Sequence, residues 1–475
     1  MSKVKLPTLA LLAGALISSG MLQAQSTTTT TTTTSPVSAA PAANNNALIN
    51  ALIAKGILTP DDAAKIEAEI NAANAATAAS SAGSDIISNP TDKYVKKITL
   101  SGRFQTQFVD LGTSIDGYQN AAPSVLPAHP VASEHFLLRR IYLGTKVDFI
   151  DGFSGVVNYD FANASFDAAY VGWKQSDALE IDAGFKKVPF DYEEITSSGD
   201  LKAIERSPVT RYFDEPNNGR RLGAASYRTG LFANGTEDGF FWAVAVTNPE
   251  RNEYSGDSTS GPSINGDGGV GNYSNSTDNN LAYYGWGGWS TKFKDGSFKI
   301  GGEYGDLPDQ GGPAASALGQ GDNLSIYGLY ADVTEGVFRL QGEWMTAEDK
   351  KAVTVAGKVR AAKPNGYWVQ PSIYLIPKKL EAVVRYSELD SDNRGVALSD
   401  GIRGATSGGT MDKMNELYIG GNWYIEGNDV KLQFGYIHGV SMDPLAPTTP
   451  TGVVATGTAI RASTNGFRSQ VQVNF

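Results

Sequence analysis

The chain of 475 residues lacks cysteine altogether and has only three histidines. Without cysteine there are no disulfide bridges, thiolate metal sites or cysteine catalysis. The histidines are His129, His135 and His438, and their wide spacing gives no reason to expect a shared metal ion. No serine, histidine and acidic residue are placed to act together as a hydrolase. We therefore predict that the protein is not an enzyme and uses no metal or other cofactor.

Positive charge is also scarce. The chain has 39 basic against 50 acidic residues, which gives a net charge of -11. A domain that binds nucleic acid would show a basic excess on one face. No nucleic-acid partner is therefore predicted.

Long apolar runs are absent apart from one near the N-terminus. This run, 6–17, follows Lys3 and Lys5 and precedes the sequence Leu22-Gln23-Ala24. It is shorter than the roughly 20 residues that span a bilayer, so a cleaved export signal over 1–24 is favoured over a membrane anchor. In lipid only helices and closed barrels satisfy all their backbone polar groups. Any membrane domain of this chain must therefore be a barrel.

The segment between the signal and the first strand has two parts. Residues 25–44 are rich in Thr, Ala and Pro and include eight consecutive threonines, which is typical of a flexible linker. Residues 45–80 show helical periodicity, with Gly56 ending a first helix and Thr59-Pro60 beginning a second. Helices this short are marginal alone. We predict a periplasmic helical segment that packs weakly as a hairpin or pairs with copies of itself as a coiled coil, followed by a linker over 81–95.

From residue 96 the pattern changes to period-two alternation, which is typical of barrel strands. In the last segment Phe467, Val471 and Phe475 fall on one face, whereas Arg468 and Gln470 fall on the other. A barrel with apolar side chains outside and polar side chains inside has the inverse arrangement of a soluble barrel. The sequence predicts an all-β domain over 96–475, a 16-stranded antiparallel transmembrane β-barrel. Its predicted strands are 96–110, 135–149, 153–162, 165–175, 179–187, 221–232, 239–247, 281–293, 297–306, 323–333, 336–347, 365–376, 379–390, 413–425, 429–440 and 463–475.

The connections between these strands alternate in length. Those at 150–152 and 294–296 are short, whereas 249–280 and 391–412 are long. Short turns at one end and long loops at the other predict a cell outer-membrane location, with lipid as a partner and the long loops outside. An exported β-sandwich is the soluble alternative. Aromatic girdles at the membrane interfaces are predicted from Tyr170, Trp173, Trp242, Tyr283, Tyr284, Trp286, Trp289, Trp344, Trp368, Tyr418, Trp423 and Tyr424.

The stretch from Phe185 to Arg221 interrupts the alternation after the fifth strand. It contains seven bases and seven acids, and we predict a constriction loop over 188–220. Opposite charges on facing sides of a constriction would create a transverse field for polar solutes; a loop packed outside the lumen is the alternative. The predicted pore and constriction residues are Arg103, Arg140, Lys146, Glu193, Glu194, Lys202, Glu205, Arg206, Arg211, Arg220 and Arg221.

Several segments resemble the phosphate-selective porin O and P family. They are LRRIYLG at 138–144, NYDFA at 158–162, AYVG at 169–172, the run 184–207, RRLG at 220–223, GNWYI at 421–425 and the terminal Phe475. The resemblance covers residues 96–475 and implies a sixteen-stranded, trimeric channel. Phosphate-selective members line their pore with Arg and Lys, because an anion that loses water needs cationic donors.

The functional prediction is passive diffusion of small hydrophilic solutes or ions, with phosphate or other anions as the class that the resemblance implies. The balanced charge of the predicted loop and the acidic chain indicate weak selectivity at most. The alternative is a structural or adhesive barrel, linked to other envelope layers through the N-terminal helices.

Overall fold

The computed structural model describes residues 59, 83–88, 93–116, 131–216, 218, 220–248, 281–307, 323–355, 358–443 and 460–475. The chain divides into two units, Met1–Ala79 and Ser80–Phe475, and the second contains every described helix and strand. The predicted signal peptide, first linker and helical segment lie outside the described residues, apart from Thr59.

Eighteen antiparallel strands form a single sheet. In chain order they are β1 (Gly83–Ser88), β2 (Val95–Asp116), β3 (Val131–Phe149), β4 (Phe153–Asp160), β5 (Ser165–Ser176), β6 (Leu179–Lys187), β7 (Tyr227–Glu237), β8 (Phe240–Thr247), β9 (Ala282–Phe293), β10 (Gly296–Leu307), β11 (Leu324–Glu335), β12 (Phe338–Val355), β13 (Lys358–Ala362), β14 (Asn365–Ile376), β15 (Leu380–Asp390), β16 (Lys413–Glu426), β17 (Val430–Asp443) and β18 (Ile460–Asn474).

The sheet closes into a barrel because β18 pairs with β2. β13 and β14 both pair with β12 and together count as one interrupted strand. β1 is not counted as a separate barrel strand, because it pairs with β2 only beyond the end of β18. The barrel then has sixteen strands, which confirms the predicted fold class. Closure leaves no sheet edge in the lipid, where unpaired backbone groups are costly. β1 lies in the stretch predicted as a linker, 81–95, and pairs with residues 97–101 of β2, beyond the point where β18 ends.

The predicted inside-out alternation is confirmed. On β17 and at the end of β18 the outward Phe434 and Phe475 are 54% and 52% exposed, whereas the inward Lys431 is fully buried. Five of the predicted girdle residues are exposed: Trp242, Tyr283, Trp289, Trp344 and Trp423. The girdle prediction is wrong for four others, which are buried inside the barrel: Tyr284, Trp368, Tyr418 and Tyr424. The alternation of apolar and polar residues does not show that connections fold into the lumen, where inward-facing aromatic side chains can be buried against them.

Several predicted segments need correction. The first barrel strand extends to Asp116 and the second begins at Val131, beyond the predicted 96–110 and 135–149. The sixth strand, predicted at 221–232, is β7 at Tyr227–Glu237, because residues 221–226 still belong to the preceding loop. The predicted loop 348–364 contains the outer part of β12 and β13. The predicted external loop 391–412 folds inward, with Val396, Leu398 and Ile402 buried.

Helices are short and lie in connections. They are α1 (Tyr192–Ile195), α2 (Pro208–Asp214) and α3 (Leu398–Gly401), with a 3-10 turn at Ile150–Gly152. In the described part of the chain, no helix is both long enough and apolar enough to cross a membrane.

The terminal aromatic packs on the seam where the barrel closes. Gly102 and Phe475 exchange two backbone hydrogen bonds of 2.7 and 3.1 Å. A Cβ at Gly102 would lie 2.2 Å from the Phe475 ring, so the ring covers the space that a side chain would take. The last residue is thereby held against the first barrel strand.

Any ring that is half buried contributes about 1 kcal/mol, but the Phe475 ring packs on the first barrel strand, where the barrel closes. We therefore expect Phe475→Ala to lower the yield of folded barrel several-fold more than loss of an equally exposed ring elsewhere. Gly102→Val should do the same by displacing the ring. The measurement is the fraction of protein that migrates as the folded barrel in gel electrophoresis of samples that were not heated. Phe434→Ala, which removes an equally exposed ring away from the seam, is the control, and an equal loss there would contradict the account.

Candidate pore and constriction site

The connection between β6 and β7, residues 188–226, folds into the barrel and is called here the constriction loop. Its second half begins with α2, where Ser207 caps the helix by accepting a hydrogen bond from Thr210 N at 3.1 Å and Pro208 takes the first helical position. Val209 and Phe213 on α2 are fully buried and join one apolar cluster with Leu398 of α3. The loop is thus a packed element of the lumen. The connection that lies inside the barrel has the bounds 188–226, whereas the predicted constriction loop has the bounds 188–220.

The first half of the constriction loop is held by carboxylates on the opposite wall. At the start of α1, Asp191 N donates to Glu303 Oε2 at 3.0 Å and Tyr192 N donates to Glu343 Oε1 at 2.6 Å. Both carboxylates therefore satisfy helix N–H groups that have no partner within the helix. Gly328 makes room for one of them, because a Cβ there would lie 2.1 Å from Glu303 Oε1.

The tip of the loop rests on polar side chains of the facing strands. Lys431 Nζ donates to Gly199 O at 2.6 Å, and Asn422 Nδ2 donates to Lys202 O at 3.0 Å. Gln105 Nε2 donates to Ser198 O at 3.3 Å. Irregular backbone at this depth is tolerated because the wall supplies donors for its carbonyl groups.

Two buried ion-pair contacts fix α1 and the tip of the loop to the wall. Glu193 accepts from Arg385 at 2.9 Å, and Arg385 also contacts Glu416 at 2.8 Å. Lys202 contacts Glu381 at 3.1 Å. Removing one partner of such a buried pair typically costs about 3–5 kcal/mol, because the other charge stays buried without compensation.

The open part of the lumen lies between the constriction loop and the wall made by β2–β6. It is a cavity of about 700 Å³. Eight basic side chains line it: Arg103, Arg139, Arg140, Lys186, Lys187, Arg206, Arg211 and Arg403. Six acidic side chains line it: Asp160, Asp167, Glu194, Glu205, Asp214 and Glu215. The lining therefore has a positive excess, although the loop counted alone is balanced.

Two of the lining bases are held by neutral groups. Arg103 donates to Ser198 Oγ at 2.7 Å and to Asn474 Oδ1 at 2.9 Å. Arg140 donates to Gln105 Oε1 at 2.8 Å. Neither forms an ion pair with a carboxylate in the part of the chain that the structure describes. Their charges are thus available to a passing anion.

A β-bulge brings a further arginine into the lumen. The β2–β3 register pairs Gln105 with Arg140 and Thr106 with Leu138, so that Arg139 is the extra residue. Arg139 and Arg140 consequently both line the cavity. Strict alternation would have directed Arg139 to the lipid.

The second inward-folded connection, 391–412, adds the last basic group. Arg403 reaches Glu205 Oε2 at 3.2 Å and also contacts Glu215. In the same connection Asp400 accepts from Arg220 Nη2 and Nε at 3.0 and 2.5 Å. This segment therefore fastens the constriction loop from the side of the long loops.

The predicted site residues divide into two groups. Six line the cavity: Arg103, Arg140, Glu194, Glu205, Arg206 and Arg211. Five lie elsewhere: Lys146, Glu193, Lys202, Arg220 and Arg221. Of these five, Lys146 shares the inward face of β3 but pairs with Asp148 at 3.0 Å and is half exposed, and Arg221 contacts Glu215. Glu193, Lys202 and Arg220 are held in the ion pairs described above.

Sequence reasoning missed several lining residues. Lys186 and Lys187 belong to the charged stretch and were counted there without being assigned to the site. Arg139 is hidden by the bulge, and Arg403 by its place in a loop predicted to face outward. The adjacent pair Arg139-Arg140 within an otherwise alternating segment is the one signal that could have indicated a bulge.

Two loop carboxyls have opposite titration behaviour. Burial alone would raise the pKa of Glu205, but the charges of Arg139 and Arg403 hold that pKa well below its usual value. Burial, together with the negative charges of Glu343 and Glu193, raises the pKa of Asp191 well above its usual value. Glu205 therefore stays charged in mild acid, whereas Asp191 favours its protonated form.

A closed sixteen-strand barrel, apolar outside, polar inside and narrowed by an inward loop, defines an outer-membrane porin, a passive channel for small hydrophilic solutes or ions. The sequence profile of phosphate-selective porin O and P matches residues 129–475. The chain belongs to the phosphate-selective porin O and P family.

Solved structures of other porins are similar in fold. The anion-selective porin from Comamonas acidovorans has 13% identity and a TM-score of 0.48, covering 78% of this chain and 99% of that one. Pseudomonas putida OprB has 11% identity and a TM-score of 0.47, with coverage of 79% and 94%. The channel DcaP of Acinetobacter baumannii has 13% identity and a TM-score of 0.45, with coverage of 80% and 97%. No curated protein sequence matches the chain.

We expect Glu343→Ala to loosen the constriction loop, because buried N–H groups of α1 lose their acceptor, at a cost of about 1–3 kcal/mol. Single-channel recording should show a larger and noisier conductance, and trypsin should cleave within 188–226. Glu335→Ala, at an exposed turn, is the control. Unchanged conductance in Glu343→Ala would contradict the anchoring role.

We expect Asp191→Asn to reduce the open-channel current noise at neutral pH. The folded pKa of Asp191 lies above the unfolded one, so the folded loop is favoured at low pH and loses stability as pH rises between the two values. Asparagine does not ionise and so removes that loss of stability. Its amide oxygen can still accept the hydrogen bond that Glu194 N donates to Asp191 Oδ1 at 2.8 Å. Open-channel noise should fall at neutral pH and match the parent near pH 4, about the usual Asp pKa. A parent channel that becomes quieter as pH rises would refute this.

Proposed function

We propose that the protein is a passive diffusion channel with a weak preference for small anions. The observation that carries the proposal is the lining of the 700 Å³ cavity, in which eight bases face six acids. Arg103 and Arg140 contribute most, because their hydrogen-bond partners are neutral. The remaining bases are compensated by nearby carboxylates, which keeps the preference weak.

Selection follows from size and charge. A solute that crosses the barrel passes beside the constriction loop, where the filled part of the lumen excludes it and the cavity admits it. An anion that loses part of its hydration there is offered guanidinium donors, which suit oxyanions better than neutral donors do. Carboxylates on the same lining attract cations and limit the discrimination.

Further proposals rest on the sequence and the family. We propose export through a signal peptide at 1–24, a periplasmic helical segment at 45–80 and a homotrimer in the outer membrane. We also propose that the protein lacks catalytic activity, since its family consists of channels. Hydrophilic solutes and lipid are then its partners, and no nucleic acid is expected.

Reversal potentials in planar bilayers under a KCl gradient test the anion preference. A unit charge about 5 Å from an ion in water contributes roughly 0.8 kcal/mol, which is about fourfold in local ion concentration. The positive charge raises the local chloride concentration and lowers the local potassium concentration, each by about that factor. We therefore expect Arg140→Gln to lower the chloride-to-potassium permeability ratio by up to about sixteenfold, and Arg103→Gln likewise.

Lys146→Gln is the matched control, because Lys146 shares the face of β3 but lies outside the cavity and pairs with Asp148. It should change the ratio much less. An equal change in Arg140→Gln and Lys146→Gln would refute the assignment of the cavity. A parent protein that never shows discrete conductance steps would refute the channel itself.

A further inference from the structure

Glu205 of the constriction loop lies at the centre of a set of converging donors. Arg139 binds its carboxylate with both ends of the guanidinium, at 2.7 and 3.1 Å. Arg403 Nε approaches at 3.2 Å and Gln107 Nε2 at 2.8 Å. Bidentate arginine and a neutral amide are the groups with which proteins hold the carboxylate of a bound molecule. The donor set therefore has the chemistry of an oxyanion site.

A third arginine completes the set from the seam of the barrel. Arg468 on β18 is almost fully buried, and its Nη1 lies 3.8 Å from Glu205 Oε1. The same nitrogen donates to Gln107 Oε1 at 2.6 Å, and within the described residues Arg468 Nε has no hydrogen-bond partner. A buried guanidinium with a free donor is costly to keep. The four hydrogen bonds to Glu205 match the acceptor capacity of one carboxylate, and Arg468 adds a further positive charge close to them.

Most of the site belongs to the barrel wall. Gln107, Arg139 and Arg468 come from β2, β3 and β18, and β2 pairs with both of the other strands in a fixed register. Arg403 comes from the inward-folded connection 391–412. The carboxylate, by contrast, comes from the constriction loop. A rigid donor set that meets a group on a separate segment would persist if that group were removed.

The site also borders the open cavity. Arg139, Arg403 and Glu205 are all part of its lining. Glu215, which likewise lines the cavity, binds Arg211 at 2.9 Å and shares Arg403 with Glu205. Solute ions in the cavity thus have access to these guanidinium groups, and the two loop carboxylates are what neutralises them.

We propose that Glu205 is a tethered anion, a loop carboxylate that occupies an oxyanion site of the pore wall and thereby sets how weakly the channel prefers anions. The class of ligand that this site takes is a small carboxylate, since a carboxylate is what fills it now. This inference rests on the proposed function, because it explains the modest size of the preference. The depressed pKa of Glu205 keeps the tethered anion charged across the pH range of normal channel recording.

A purely mechanical role would give a different result from a tethered charge. Glu205→Gln keeps a hydrogen-bond acceptor for Arg139 but removes the charge. Glu205→Ala removes both and leaves space for the fragment that it lacks, which is acetate. If Glu205 only holds the loop in place through hydrogen bonds, Glu205→Ala should lose that role and Glu205→Gln should keep part of it. If its negative charge is what matters, both variants lose the charge equally.

The experiment compares reversal potentials of the parent, Glu205→Gln and Glu205→Ala under a KCl gradient. We expect the chloride-to-potassium permeability ratio to rise between about fourfold and about sixteenfold in both variants, because one unit charge about 5 Å from the ion in water changes the chloride and potassium concentrations in opposite directions by about fourfold each. Added potassium acetate should return the ratio of Glu205→Ala towards the parent value at millimolar concentration. It should leave the parent and Glu205→Gln unchanged, because their site is filled.

Glu388→Gln is the control for net charge, since Glu388 is exposed on the outer face of β15. An unchanged ratio in the Glu205 variants, the same rise in Glu388→Gln, or an equal acetate effect in the parent would each overturn the inference. If neither Glu205 variant assembles, Glu215→Gln is measured for the same rise, and no rise there overturns it. A parent that conducts without anion preference refutes the proposed function instead, so the two failures are distinguishable.

Discussion

The structure depends on one constraint: a charged loop buried inside a closed barrel must find a partner for every charge and backbone group that it brings. The wall supplies them on three sides. Glu303 and Glu343 accept from the N–H groups of α1, Lys431 and Asn422 donate to carbonyls at the tip, and Arg385 pairs with Glu193. Towards β2–β6 the described lumen keeps a cavity of about 700 Å³. The position of the proposed pore thus follows from where the loop finds its partners.

This arrangement is the basis for the weak selectivity that we propose for a member of a family named for phosphate. The arginines of the wall and of the segment 391–412 would form a strongly cationic lining if they stood alone. Instead, Glu205 and Glu215 enter with the loop: Glu205 pairs with Arg139 and Arg403, and Glu215 also contacts Arg403. Arg103 and Arg140 remain with neutral partners. Selectivity is therefore a small difference between large opposing charges, which a single substitution can shift.

The barrel could be predicted from the sequence because alternation and turn spacing are local signals. The inward faces of Lys431 and Arg468, the strand count and the long insertion after β6 all follow from them. The cavity could not be predicted from such local signals, because its lining residues come from segments that are far apart in the sequence. Arg139 enters through a bulge that breaks the alternation, and Arg403 through a loop whose length indicated an external position. The charge balance inside a pore depends on which charged side chains from different segments lie together. Counting the charges of one segment of the sequence does not give it.

Cysteine accessibility tests most directly whether ions pass beside β2–β6. The chain has no cysteine, so single substitutions need no background removal. Arg140→Cys lines the cavity, whereas Gln433→Cys lies under the loop tip, where Gln433 donates to Leu201 O at 3.2 Å. A negatively charged, thiol-specific sulfonate reagent should reduce the current through Arg140→Cys and leave Gln433→Cys unaffected. Reduction in Gln433→Cys with none in Arg140→Cys would place the pore on the other side of the loop and contradict the account.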